Sequence, residues 1–238
     1  MTGFELDGFL SDEVDAYRLH VTEHFRSVLG ECIAASRAAM VQINAIRVVD
    51  AELSTLVALS LWSRCIATCQ AAILLGHRGM GVDGLTLLRN AFESLFHCGA
   101  LLEDSSVLAR LRAKDDYERL KQATAILGHK ETVDVLTPEA KAAVEAFVMS
   151  VPSSKDLISA FDCAKLAGLE GLYHSAYRTL SLKAAHPSLT TAGHAFGEQL
   201  TDLRFGPSTD HLDEVFGLAR DCLNMGHGIV AKALSTST

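Results

Sequence analysis

The amino-acid sequence predicts an all-α protein, a single bundle-like domain of seven or eight helices. Three observations predict it. Apolar residues recur three and four positions apart along most of the chain, and no stretch alternates apolar with polar as a half-buried strand would. Alanine and leucine are frequent while aromatic residues make up only 6%, a balance that favours helix over sheet. Only four prolines interrupt 238 residues, and Pro138 and Pro187 fall where helices are expected to begin and end. With 49% apolar and 21% charged residues, the chain can bury a core without disulfides or metal. The domain is expected to run over residues 1–238, with a polar tail at 235–238.

The elements follow from local signals. A first helix is expected after Ser11, which can cap it, with Asp12 and Glu13 in the first turn. Val14, Tyr17, Val21, Phe25, Val28, Cys32 and Met40 then make one apolar stripe. A second helix at about 51–75 is apolar on nearly all sides and should be central. Gly76, Gly79, Gly81 and Gly84 mark a turn before a third helix at about 82–102. A fourth covers about 105–127 and ends before Gly128. Thr137-Pro138-Glu139 supplies a cap, a proline at the first helical position and an acid, and starts a helix at about 138–149. The next, at about 155–166, is expected to be capped by Ser153 or Ser154. Gly168 separates it from a helix at about 169–185, which Pro187 ends. Residues 188–209 hold Gly193, Gly197, Gly206 and Pro207 and read as loop with a short strand. The last helix covers about 210–234.

Composition also bounds function. A net charge of −8 and a pI near 5.6 argue against a nucleic-acid binder that relies on a basic surface, so an RNA partner is not favoured. The segment from Met1 to Asp7 has neither a basic nor an apolar run of the kind that directs secretion, and a cytoplasmic protein is expected. The apolar run from Leu56 to Gly76 is long enough to span a bilayer but contains Arg64 and Gln70. A mid-span arginine costs about 2.5–3.5 kcal/mol on insertion, so a buried helix is expected and no membrane contact. The six cysteines include no C-x-x-C pair. Cys65 and Cys69 lie one helical turn apart and read as reduced core thiols, and no metal or cofactor is expected.

Three short patterns resemble chemistry. Gly79-Met-Gly81-Val-Asp-Gly84 matches the dinucleotide fingerprint, but that fingerprint works between a strand and a helix, and a helix precedes it here. His20-Val-Thr-Glu23-His24 matches the inverted zincin pattern without a third ligand downstream. Arg18 with His24, Arg204 with His211, and Arg220 with His227 fit the R-x(4–6)-H spacing of the HEPN (higher eukaryotes and prokaryotes nucleotide-binding) helical ribonucleases. Arg220 and His227 are the best of these, since Asp221 supplies a polar residue after the arginine. They are the candidate catalytic pair; the alternative is two polar residues on the outer face of the last helix.

The strongest constellation joins two helices. Arg89, Glu93 and His97 are spaced i, i+4, i+8 beside an apolar arc that includes Leu85, Leu88, Phe92 and Phe96. Tyr173, Tyr177 and Ser181 repeat the spacing beside Leu169, Leu172, Ala176 and Leu180, and His186 closes that helix. Packing the two arcs together brings the columns into contact. The candidate ligand-binding set is therefore Arg89, Glu93, Tyr173, Tyr177, Ser181 and His186. Whether it is a pocket or a structural polar network stays open at this level.

The same residues carry a resemblance. Leu-Leu-Arg89-Asn-Ala-Phe-Glu93, then Tyr173-x-x-x-Tyr177-x-x-x-Ser181-x-x-x-x-His186-Pro-Ser188, then Arg204-Phe-Gly-Pro207-Ser-Thr-Asp210, resemble a bacterial helical family, the domain-of-unknown-function family numbered five-six-seven-seven, over about residues 50–234. The resemblance implies an all-helical cytoplasmic bacterial protein of unestablished activity, loosely allied to HEPN-like defence proteins. The chain departs from the ribonuclease motif in that His97 and His186 each fall one residue too far from Arg89 and Arg178. The expected function is a binding or regulatory module, a homodimer, holding an unknown small molecule. The alternative is a metal-independent, HEPN-like ribonuclease or nucleotide-modifying enzyme.

Overall fold

The computed structural model describes residues 3–47, 51–151, 156–186, 189–196, 199, 201, 203 and 205–235. Among them every regular element is helical. The longer helices are α1 (Glu13–His24), α2 (Arg26–Ala45), α3 (Leu53–His77), α4 (Gly81–Glu103), α5 (Val107–Gly128), α6 (Pro138–Ser150), α7 (Ala160–Leu166), α8 (residues 170–185) and α9 (Leu212–Ser235). Short helices at Gly3–Asp7, Lys130–Asp134 and Leu189–Gly193 add to the seven or eight that periodicity predicts. The strand expected in 188–209 is reduced to one antiparallel bridge between Phe196 and Leu203.

Several boundaries differ from the sequence reading for local reasons. The first expected helix is two, kinked at Phe25 (φ −103°, ψ 21°), where the ring turns into the core against Phe216 at 5.9 Å. The kink is not a loop, because the Phe25 N–H still donates to Val21 O at 2.9 Å. Ser11 lies one residue outside the backbone cap, which falls on Asp12, yet its Oγ accepts from the Glu13 N–H at 3.2 Å. Helix α7 starts five residues late. Its cap is Ser159, whose Oγ accepts from the Asp162 N–H at 3.1 Å while the Ser159 N–H donates to Asp162 Oδ2 at 2.9 Å. That reciprocal box closes two backbone donors at once. Ser153, Ser154 and Pro187 lie outside the described residues, as do Gly197 and the tail beyond Ser235.

Helices α3 and α4 form an antiparallel hairpin along their lengths, α9 packs on both, α2 packs on α9, and α7 and α8 pack on α4. One apolar core joins them, with Trp62, Phe92, Phe96 and Phe216 its largest fully buried side chains. Helix α3 is long and apolar enough to cross a membrane by length and composition. It is not buried on all sides: Leu56, Ser60, Arg64, Ala67 and Leu74 face outward, while Trp62, Cys65, Ile66, Cys69 and Ile73 face the core. Helices α5 and α6 pack mainly on each other, and α5 buries only Val107 and Ala123.

The seat of α9 on α3 is a close approach. A Cβ at Gly226 would overlap the six-membered ring of Trp62. The Trp62 Nε1–H donates to Gln42 Oε1 at 3.2 Å, and Gln42 Nε2 donates to the His227 carbonyl at 2.9 Å, so one tryptophan ties α2, α3 and α9 together. The glycine run between α3 and α4 is also a packing device. Gly79 has φ +73°, and a Cβ at Gly81 would meet the Asp210 carbonyl, where the segment before α9 crosses. This is an interhelical turn with no strand before it, so the dinucleotide reading has no structural frame.

Replacing Gly226 with alanine forces the Trp62 ring or α9 to move. Overpacking of this kind costs about 1–3 kcal/mol. A fall of that size in unfolding free energy is expected for Gly226→Ala in urea denaturation, against little change for Gly228→Ala, where a Cβ meets nothing within 4 Å.

Candidate functional site

Helix α8 is not a regular α-helix. Two π-turns, Tyr173–Tyr177 and Ser181–Ala185, flank one short α segment at Arg178–Leu180. Residues four apart drift about 40° around an ideal helix. The wider π-turns take up that drift and hold Tyr173, Tyr177 and Ser181 in line along α4. Local hydrogen bonding shows how the helix is loosened. Ser175 Oγ donates to the Gly171 carbonyl and Ser181 Oγ to the Tyr177 carbonyl, at 2.8 and 2.9 Å. Thr86 on α4 donates across to the Ala184 carbonyl at 3.0 Å, answering an acceptor in the second π-turn.

Arg89 is the centre of the site. Its Nη1 donates to Glu93 Oε2 at 2.6 Å and to Asn90 Oδ1 at 3.1 Å, and its Nε donates to Ser181 Oγ at 3.4 Å. Nη2 donates to the Tyr177 hydroxyl at 2.5 Å, and that hydroxyl donates to Glu93 Oε2 at 3.3 Å. The guanidinium carbon lies 4.7 Å from the centre of the Tyr177 ring. Side-chain exposures of 23% for Arg89 and 26% for Glu93 put the pair at the surface end of the seam rather than in the core. Burial and the neighbouring Glu93 carboxylate push the Tyr177 phenol up to about 12, so it stays protonated and able to donate. Two polar atoms of the pair remain open among the described residues: Glu93 Oε1 and one Nη2–H of Arg89.

The aromatic wall behind the pair is continuous. Tyr173 stacks on Tyr177 at 5.1 Å, Phe96 meets Tyr177 edge-on at 5.7 Å, and Phe161 meets Tyr173 edge-on at 5.2 Å. His97 lies one turn beyond Glu93. Its Nε2 is buried without a hydrogen-bond partner, and burial lowers its pKa against the partial support of Glu93. His77 has the same character: a buried, unpartnered Nε2 and a pKa lowered by burial.

Other residues singled out in the sequence lie elsewhere. His186 is exposed past the end of α8; its carbonyl accepts from Thr191, and its ring makes no hydrogen bond to the cluster. Arg220 on α9 donates to Glu31 Oε2 at 2.7 Å and Asp221 Oδ1 at 2.8 Å, so its guanidinium is engaged by two carboxylates. His227 shares that face of α9, beside Arg37 and Val41 of α2. Arg204 lies outside the described residues. His20 and His24 stack on each other at 5.9 Å on the exposed face of α1. A cleft of about 390 Å³ opens between the Gly79–Asp83 turn, His194, Phe205 and His211, and neither Arg89 nor Glu93 lines it. His211, with φ 64°, is the non-glycine residue among those described in the left-handed region. The sequence reading missed this cleft, because its walls come from segments more than 100 residues apart.

The comparison with protein families matches residues 55–202, which include α3 from its third residue, α4, the whole of the Arg89 cluster and α8. The chain belongs to the family of unknown function DUF5677. The DUF5677 match holds two of the three stretches that carry the resemblance; Arg204–Asp210 falls beyond it, as do Arg220 and His227. No curated protein and no solved structure matches the chain.

The histidines make a pH prediction. His97 has a folded-state pKa below its unfolded value of about 6.5. The unfolded chain therefore takes up protons first as the pH falls, so the neutral, buried ring stabilises the fold above about pH 6.5 and that contribution is lost below it. Urea midpoints measured from pH 7.5 down to 5 should fall, and the slope should be shallower in His97→Asn.

Proposed function

We propose that this DUF5677 protein is a binding module, with the seam between α4 and α8 as its ligand site. The single observation that carries the reading is the pair of π-turns that delivers Tyr177 and Ser181 to Arg89. A π-turn gives up regular hydrogen bonding and is frequently found at functional sites. Here two of them occur in 16 residues, beside the Arg89 cluster.

What stays open at the pair suggests the ligand's chemistry. Glu93 Oε1 is left to accept and one Arg89 N–H to donate, on an ion pair that is partly shielded from water. A planar group that presents a donor beside an acceptor, such as an amide or the edge of a nucleobase, complements that pair without bringing a charge. An anion would instead have to compete with Glu93 for the guanidinium. We read the protein as cytoplasmic and homodimeric in this role, in keeping with its buried thiols and its apolar-rich composition. A ribonuclease reading through Arg220 and His227 has less support, because Glu31 and Asp221 already hold the arginine.

Calorimetric titration with adenine, cytosine and nicotinamide tests the reading. At least one should bind, with affinity lost by about tenfold or more in Glu93→Gln while the melting temperature stays nearly unchanged. Absence of binding by all three, together with a loss of about 1–3 kcal/mol of stability in Glu93→Gln, would make the cluster a structural clasp.

A further inference from the structure

Cys65 and Cys69, one turn apart on α3, are joined in the core by Cys222 of α9. The three Sγ atoms all lie within 4.8 Å of one another, and Cys65 and Cys222 are 3.5 Å apart. All three side chains are fully buried. The arrangement follows from the antiparallel register of the two helices: Trp62 meets Gly226, so Cys65, one turn further along α3, meets Cys222, one turn back along α9.

We propose that Cys65, Cys69 and Cys222 form a three-coordinate site for the soft monovalent cation Cu(I). The geometry and the donor set each narrow the choice. At a metal–sulfur distance of about 2.3 Å, three sulfurs in a trigonal plane stand about 4.0 Å apart, within the span of this triad. Zinc closes its structural sites with four ligands, and the described residues within reach supply three with no fourth donor. Thiolate sulfur selects soft ions, Cu(I) among them. The three sulfurs bind as thiolates, so loading releases their thiol protons to solvent and changes no oxidation state.

A cluster of small core thiols packed as hydrophobes is the alternative, and it makes no demand for metal.

The test uses the whole, reduced protein under argon, titrated with Cu(I) held by bicinchoninate, whose copper complex is coloured. The expected result is removal of one equivalent of copper from the chelator, with a sulfur-to-copper absorption in the near ultraviolet. Cys69→Ala and Cys222→Ala should lose that equivalent, and Cys163→Ala should keep it. Failure of the folded wild-type protein to take copper from the chelator overturns the proposal, whatever the variants do. Retention of copper by both Cys69→Ala and Cys222→Ala, each shown folded by circular dichroism, overturns it too. So does stoichiometric zinc uptake of equal strength in a parallel competition, since that requires a fourth ligand.

Discussion

The architecture depends on the seat of Trp62 against Gly226. The indole is fully buried and occupies space that any side chain at position 226 would need. Its N–H is not left unpaired in the core: Gln42 accepts it and in turn donates to the backbone of α9. Removing a buried donor's partner costs more than the bond contributes, so this short chain of hydrogen bonds fixes α2 as firmly as the ring fixes α3 and α9. The register set there decides what the rest of the interface contains. Phe216 falls against Gly76 at the far end, and Cys222 falls against Cys65 between the two contacts.

The other side of α4 is built on a different principle. Its apolar arc is closed by α7 and α8, and the polar residues at the edge of that arc answer one another rather than water. Arg89 uses four of its five N–H groups on protein acceptors, which is a well-satisfied guanidinium for a side chain still 23% exposed. Satisfaction comes with the π-turns of α8, which hold Tyr177 and Ser181 against the arginine. The π-turns surrender regular backbone bonds, and Thr86 and Ser181 supply replacements from their hydroxyls.

The buried thiols and histidines belong to the same economy of a core made largely of small residues. Burial pushes the Cys32 and Cys98 thiols up to about 12 and Cys163 to about 11, so these three are protonated and inert as nucleophiles near neutrality. His77 and His97 sit at the margins of the core as neutral rings.

Much of this protein was legible in the residues themselves. Helical periodicity, Thr137-Pro138 and the glycines at 76–84 locate α3, α4, α5, α6 and α9 to within a few residues, because these signals act over one or two turns. The contact of Arg89 and Glu93 with Tyr177 and Ser181 was legible for the same reason: each column borders its own apolar stripe, and stripes must pack. The capping box at Ser159 and Asp162 was present in the sequence as well, but it competed with two nearer serines. Tertiary structure alone decided the rest. The π-turns answer an arginine 88 residues away, so no local pattern on α8 announces them. His186 sits outside the cluster because the chain turns away at the end of α8. Cys222 reaches Cys65 across 157 positions, because a close approach at one glycine sets the register of two long helices. Local propensity reads forces that act along the chain. Register, burial and the meeting of distant side chains follow from packing, which only the folded molecule displays.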